Sequence, residues 1–92
     1  MSASALFLSI IGEGQVVPIL QKAAGSLDEA HGEVILDFSS VLRIDSGALR
    51  ALEDFACVAD EKAIKIVLRG VNVDVYKVLK LVRLTRRFSF LH

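Results

Sequence analysis

Hydrophobic residues along the chain alternate between short unbroken runs and longer stretches with helical spacing. The short runs cover residues 5–11, 33–38 and 64–68, and they are strand-sized and rich in strand-forming residues. A fourth short run, residues 88–91, is another candidate strand. Between these runs, apolar residues recur every three or four positions, as in helices that bury one face. The pattern therefore predicts the order β-α-β-α-β-α-β.

Local signals mark where the predicted helices begin and end. Pro18 is tolerated in the first turn of the first helix, because the N–H that proline lacks has no helical partner there. Gly25 lies inside this run, so the helix either stops early or loosens at that point. Asn72 is a suitable N-cap for the third helix. The predicted core faces of the three helices are Val16, Ile19, Leu20, Ala23, Leu27 and Ala30, then Leu49, Leu52, Phe55, Ala56 and Ala59, and finally Val75, Val78, Leu79 and Val82.

The alternating order predicts an α/β fold with a mostly parallel sheet of about four strands and three or more helices. A chain of 92 residues corresponds to a single domain, residues 1–92. In open sheets with right-handed crossovers, sites collect at the carboxyl ends of strands and at the starts of the following helices. This rule points to residues 37–40 and 43–47.

Composition narrows the class of protein. Hydrophobic residues make up 53% of the chain and the mean hydropathy is +0.53, which is too apolar for a disordered chain. No apolar run approaches the ~20 residues of a membrane span. A secretory signal is not recognisable either, so we expect a cytoplasmic protein.

Charge is unevenly distributed although the formal net charge is zero. Residues 1–61 carry a balance of −7, whereas residues 62–92 hold eight basic residues and Asp74 alone, a balance of +7. Either the two halves face each other within one domain, or the basic third meets an anionic partner. A helical spacing joins Lys77, Lys80, Arg83 and Arg87 into one stripe. A solvated helix face is the favoured interpretation of this stripe, an acidic protein or lipid surface the alternative, and nucleic acid the least favoured.

Candidate catalytic and metal-binding residues are few. His31 and His92 are isolated from carboxylates at ligand spacing, so we expect no metal site. Cys57 cannot form an intrachain disulfide, and it has no neighbouring histidine to activate it. Phosphate-binding and dinucleotide-binding loops are absent from the sequence. These observations predict a protein that is not an enzyme and has no cofactor.

The start of the second helix carries the most informative residues. Asp45 or Ser46 can accept hydrogen bonds from the first helical turn, and Gly47 permits the close approach of another backbone. A serine at a helix N-terminus is a favourable place for a phosphate, although Asp45 opposes it by like-charge repulsion. From these residues alone, simple helix capping by Asp45 and Ser46 is the favoured interpretation.

The second helix also has a polar side. A rotation of about 100° per residue places Arg50, Asp54 and Cys57 opposite the predicted core face. Ala51 and Val58 flank them. This side is a candidate surface for a protein partner.

Two motifs stand after the second strand and at the start of the second helix: Asp37-Phe38-Ser39-Ser40-Val41 and Ile44-Asp45-Ser46-Gly47-Ala48-Leu49. With them the chain resembles the STAS domain family, which includes anti-sigma-factor antagonists. The first motif is similar to the family's Asp-hydrophobic-Ser-x-Val at a strand end, and the second to its Asp-Ser-Ser-Gly-Leu loop and helix start. Later pieces, residues 68–72 and 78–81 with Leu84 and Phe88, resemble its strand, third helix and closing segment. Each motif is weak alone, but their order and spacing are fairly specific.

The resemblance implies a non-catalytic module that docks on another protein. In anti-sigma-factor antagonists the module captures an anti-sigma factor that is also a serine kinase, and serine phosphorylation in the loop reverses the capture. Here Gly47 stands at the usual acceptor position, and a shift of one residue is needed for Ser46 to be the acceptor.

A second branch of the family matches the loop without a gap. The STAS subunit of the lipid-asymmetry ABC transporter carries Asp-Thr-Gly-Gly-Leu, which is similar to residues 45–49. That subunit docks on the transporter ATPase. The sequence thus leaves two partners open: an anti-sigma factor with kinase activity, or an ABC-transporter ATPase. In either case this protein would contact a membrane only indirectly.

The first strand departs from the family. STAS domains usually open with a β-hairpin, but only residues 5–11 are strand-like ahead of the first helix, so we expect one family strand to be missing. An exposed sheet edge tends to pair with another strand. We therefore expect dimerisation, or pairing with a partner, through residues 5–11.

The partner surface expected from the sequence combines this loop, the polar side of the second helix and the rim that follows the second strand. Ser46 is the candidate phosphate acceptor within it. Its residues are Asp37, Ser39, Ser40, Asp45, Ser46, Gly47, Arg50, Ala51, Asp54, Cys57 and Val58.

Overall fold

A computed structural model describes residues 6–10, 12–27 and 32–91. The predictions that concern Ala5, Ile11, Ala30, His31 and His92 lie outside these ranges. Seven main elements follow the predicted order. Short 3-10 turns lie at Glu13–Gln15 and Thr85–Arg87. The elements are β1 (Leu6–Ser9), α1 (Val16–Gly25), β2 (Glu33–Asp37), α2 (Ser46–Glu61), β3 (Lys65–Arg69), α3 (Val73–Leu81) and β4 (Ser89–Leu91).

The four strands form one parallel sheet in the order β1-β2-β3-β4, which confirms the predicted fold class. Each crossover runs to the next strand in the same direction, so right-handed connections put every helix on the same face. Packing agrees with this rule, because one set of alternate strand residues joins the helical core: Leu6, Leu8, Val34, Leu36, Ile66, Leu68 and Phe90. Within the described residues, the other face of the sheet carries no helix.

The core lies between this face and the helices. Leu52 and Phe55 of α2 are buried at its centre, and Leu20 and Leu27 reach it from α1 and the residues after it. Burial of one such side chain contributes roughly 1.5–3 kcal/mol before entropy is counted. Among the described residues, no polar or charged side chain is buried, so the core is held by apolar packing alone.

Side-chain caps define the starts of α2 and α3. The Asp45 carboxylate accepts a hydrogen bond from the N–H of Ala48 at 2.8 Å. The Asn72 side-chain oxygen accepts from the N–H of Val75 at 2.8 Å, as the sequence predicts for a capping residue. The amide nitrogen of Asn72 donates in turn to the carbonyl of Leu42 at 3.1 Å. Asn72 therefore ties α3 to the loop that precedes α2.

The ends of the first and third helices compare differently with the predictions. α1 ends at Gly25, the early stop that the sequence left open, and Leu27 beyond it is still buried in the core. Val82 was expected in the core stripe of the third helix, yet it follows α3 and is 47% exposed. At Val82 the helical spacing continues in the sequence beyond the last turn that packs.

The predicted basic stripe is also interrupted. Lys77 and Lys80 share the outer side of α3, but the helix ends before Arg83, whose φ is +63°. Arg87 lies in a separate turn and pairs with Asp60 of α2 at 3.0 Å. The prediction of one continuous helical stripe is therefore wrong, and this ion pair joins the basic part of the chain to the acidic part.

Gly70 follows β3 and lies against the turn after β2, at the carboxyl end of the sheet. Its φ is +71°, in the left-handed region that favours glycine. A Cβ atom at this position would lie 2.9 Å from Cβ and 3.1 Å from Cα of Ser39. The end of β3 can therefore approach the turn after β2 only because residue 70 has no side chain.

We expect Gly70→Ala to lower the free energy of unfolding by about 1–3 kcal/mol, because it combines a strained φ with a backbone clash. Urea denaturation at neutral pH measures the change. Gly25→Ala is the matched control, since no atom lies within 4 Å of the added Cβ and φ is not positive there. Equal destabilisation by both substitutions would contradict this role of Gly70.

Candidate partner-binding site

The beginning of α2 displays a serine hydroxyl. Asp45 provides the cap, so the sequence alternative in which Ser46 caps the helix is not realised. Ser46 is the first residue of α2, is exposed and makes no side-chain hydrogen bond within the described residues. A Cβ atom on Gly47 would approach only the Asp45 carboxylate, at 3.5 Å. The hydroxyl is therefore accessible at a helix N-terminus, beside the Asp45 carboxylate.

The polar side of α2 lies where the spacing places it. Arg50, Asp54 and Cys57 are exposed, whereas Ala51 and Val58 are half-buried. These two small residues line a shallow groove between α2 and α1, together with Leu20, Gln21, Ala24, Asp54 and Phe55. The result is a convex charged ridge with an apolar border on the α1 side.

A larger groove borders the other side of the ridge. It holds about 370 Å³ and is lined by Ser46, Leu49, Arg50, Glu53, Val82 and Leu84. Glu53, Val82 and Leu84 were not predicted as parts of this site. Glu53 could have been found, because it is a charged residue one turn from Leu49 on the same helix. Val82 and Leu84 follow the end of α3, 36 and 38 positions after Ser46, so only the tertiary structure brings them to it.

The residues that follow β2 form a separate group. The Asp37 carboxylate accepts hydrogen bonds from the Ser39 hydroxyl at 2.6 Å and from the Ser39 N–H at 2.9 Å. These two bonds, helped by the charge of Arg69, hold the pKa of Asp37 below its ordinary value. Asp37 therefore remains an anion that orders the turn, as expected for a residue that shapes the loop.

Ser39 and Ser40 are exposed at the same end of the sheet as Ser46. However, no hydrogen bond within the described ranges joins either of them to Ser46. Ser39 is instead held by Asp37 and packed against Gly70. Ser39, Ser40 and the start of α2 thus share one end of the sheet, whereas the rest of the ridge runs along α2 away from it.

Cys57 lies on the part of the ridge that is farthest from Ser46. Its sulfur is 4.0 Å from a guanidinium nitrogen of Arg87, whose other nitrogen pairs with Asp60. Throughout residues 6–10, 12–27 and 32–91, no three histidine, cysteine or carboxylate side chains converge in a way that could hold a metal ion. The exposed groups along α2 are charged side chains, small side chains and, at its start, the hydroxyl of Ser46.

Comparison with models of protein families identifies the family of this chain. A family model described as "Mlab, STAS domain" matches residues 13–91. The chain belongs to the STAS domain family. Members of this family are regulatory interaction modules and are generally not catalytic. No curated protein matches the chain at a significant level.

Solved structures share the fold. A sulfate transporter family protein from Wolinella succinogenes has a TM-score of 0.78 at 21% identity, over 100% of this chain and 82% of that chain. The STAS domain of a SulP transporter from Vibrio cholerae has a TM-score of 0.76 at 18% identity, over 99% and 76%. A putative anti-sigma-factor antagonist from Thermotoga maritima has a TM-score of 0.72 at 19% identity, over 89% and 71%. The transporter proteins and the putative anti-sigma-factor antagonist thus share one fold with this STAS domain.

The helices of this STAS domain are short. Within the described ranges, none is long and apolar enough to cross a membrane.

Proposed function

We propose that this STAS domain regulates a nucleotide-binding partner by docking on it, without catalysing a reaction itself. The docking surface is the ridge of α2 with its preceding loop: Asp45, Ser46, Gly47, Arg50, Ala51, Asp54, Cys57 and Val58. Ser39 and Ser40 form its rim, and Asp37 shapes that rim. One observation carries the proposal: Ser46 is exposed and unbonded at the helix start, beside a groove that a partner side chain can enter.

The preferred partner is an anti-sigma factor that is also a serine kinase. The alternative is the ATPase of a phospholipid-trafficking ABC transporter. The alternative is favoured by Gly47, which stands where antagonists carry the acceptor serine and where the transporter subunit carries glycine. In both cases the partner binds a nucleotide, the meeting takes place in the cytoplasm, and any contact with a membrane is indirect.

Charge at Ser46 should weaken docking. Ser46→Asp should lower the affinity at least about tenfold, ~1.4 kcal/mol, because it buries an unpaired carboxylate beside Asp45. The fold should tolerate it, since an acidic residue in the first helical turn is favourable. The measurement is calorimetric titration against the purified kinase or ATPase encoded beside this protein.

The controls separate charge from shape and the ridge from the rest of the surface. Ser46→Asn introduces a side chain of the size of aspartate without its charge, and should change affinity less than about threefold, well under ~1 kcal/mol. Arg50→Glu should weaken binding, whereas Lys80→Glu, the same charge reversal on α3, should not. An unchanged affinity for Ser46→Asp would remove the loop from the docking surface.

We also propose that Ser46 is the phosphate acceptor. The unbonded N–H groups of the first turn and the helix dipole stabilise a phosphate there, against repulsion from Asp45. Incubation with ATP and the kinase, followed by intact-mass measurement, should show one added phosphate. Ser46→Ala should abolish it and Ser40→Ala should not. Phosphate on Ser40, or none on wild type, would contradict this assignment.

The edge of β1 is the proposed homodimer contact. Among the described residues, β1 pairs only with β2. The N–H of Ile10 donates to the carbonyl of Asp37, so even-numbered residues of β1 face β2 and odd-numbered ones direct their N–H and C=O groups outward. Phe7 and Ser9 thus offer the groups that a second copy can pair with.

Ser9→Pro should therefore reduce dimerisation while leaving the fold intact, because proline removes an outward N–H and no bond to β2. Sedimentation velocity over a range of concentrations measures the change. Leu8→Pro is the control, since it removes an inward N–H and should instead lower the urea midpoint. A wild-type monomer at the highest concentration would contradict the contact.

A further inference from the structure

The opposite edge of the sheet is also unpaired within the described residues. There β4 is bonded only to β3. The N–H of Gly70 donates to the carbonyl of Leu91 at 3.2 Å, so Leu91 directs its backbone groups toward β3. Because these groups alternate along a strand, Phe90 directs its N–H and C=O away from the sheet. Phe90 therefore offers one donor and one acceptor to an added strand.

An apolar groove lies next to this edge. It holds about 450 Å³ and is lined by Val71, Asn72, Val73, Tyr76, Phe90 and Leu91. The rings of Tyr76 and Phe90 meet edge to face at 5.1 Å, while Val73 and Leu91 are 66% and 50% exposed. The amide of Asn72 is already used to cap α3 and to bind the carbonyl of Leu42. The walls thus offer apolar contact, and the directional bonds come from the backbone of β4.

The surroundings of the groove are basic. Residues 62–92 carry a net charge of +7, and Lys77 and Lys80 are exposed on the same side of α3 as Val73 and Tyr76. Asp74 is the one acidic residue of this part of the sequence. Two copies that met through this edge would bring like charges together. An acidic segment would gain from the same field within the Debye length of roughly 8–10 Å.

We propose that the edge of β4 and this groove bind an extended acidic peptide segment of a partner protein. The segment adds a strand to the sheet through Phe90, places apolar side chains in the groove and sets its carboxylates against the basic surface. This contact is separate from the docking surface on α2, so either can fail without the other. It gives the module a second binding point at the β4 edge of its sheet.

The probe is a synthetic peptide with alternating apolar residues and acidic ends, Glu-Asp-Val-Thr-Phe-Thr-Val-Asp-Glu, labelled with fluorescein. We expect saturable anisotropy with the wild-type chain. The amide of Phe90 should shift in nitrogen–proton spectra and exchange more slowly with peptide bound. The amide of Leu91, which already faces β3, should change less. A peptide N-methylated at its central residues should bind at least tenfold more weakly.

Matched variants locate the contact on α3. Val73→Asp should weaken binding at least tenfold, and an acidic residue in the first turn of α3 should leave the fold intact. Gln21→Glu changes the net charge equally at an exposed residue of α1, the crossover between β1 and β2 at the other side of the sheet, and should alter binding less than twofold.

Three results would overturn the proposal: no binding of the peptide, equal losses for the two variants, or equal affinity of the N-methylated peptide, which would mean attraction by charge alone. A wild-type dimer in sedimentation that Val73→Asp abolishes and Ser9→Pro does not would also overturn it, because a second copy would then occupy this edge.

Discussion

The parallel pairing of β2 with β3 is the constraint on which the rest of this STAS domain depends. It places the turn after β2 beside Gly70 at the end of β3, and only a residue without a side chain fits that approach. The same pairing requires α2 to cross over the sheet and to begin at the carboxyl end, where Asp45 caps it. Ser46 is displayed because the backbone must turn from strand to helix at this point.

Stability and the proposed docking share one helix. The buried side of α2, with Leu52 and Phe55, supplies the centre of the core, while Arg50, Asp54 and Cys57 point outward from the same backbone. A rigid helix anchored in this way presents its outer side chains with little loss of conformational freedom on binding. Substitutions on the outer side can therefore change the proposed docking without changing the core, provided that the cap and the packed side remain.

The topology determines where the unevenly distributed charges lie. The basic segment supplies β3, α3 and β4, so most of its charge lies along one side of the sheet. One of its basic residues, Arg87, forms an ion pair with Asp60 in the acidic part of the chain. Lys77 and Lys80 remain on the surface of α3, whose Tyr76 meets Phe90 of β4, and among the described residues β4 pairs only with β3. The module thus has two chemically different sides, one centred on the start of α2 and one on β4.

The amino-acid sequence by itself determined the element order, from which the parallel sheet follows, and also the cap at Asn72 and the outward residues of α2, because capping and helical periodicity depend on neighbours within a few positions. It left the cap of α2 open between Asp45 and Ser46, and it left the end of α1 open. It also placed Val82 and Arg83 in helical stripes that α3 does not reach, since periodicity in a sequence does not reveal where packing ends. Only the tertiary structure decided that Val82 and Leu84 border Ser46, that Ser39 packs against Gly70 and that Tyr76 meets Phe90. Those contacts join residues far apart in the chain, and they exist because parallel strands bring distant segments to one edge.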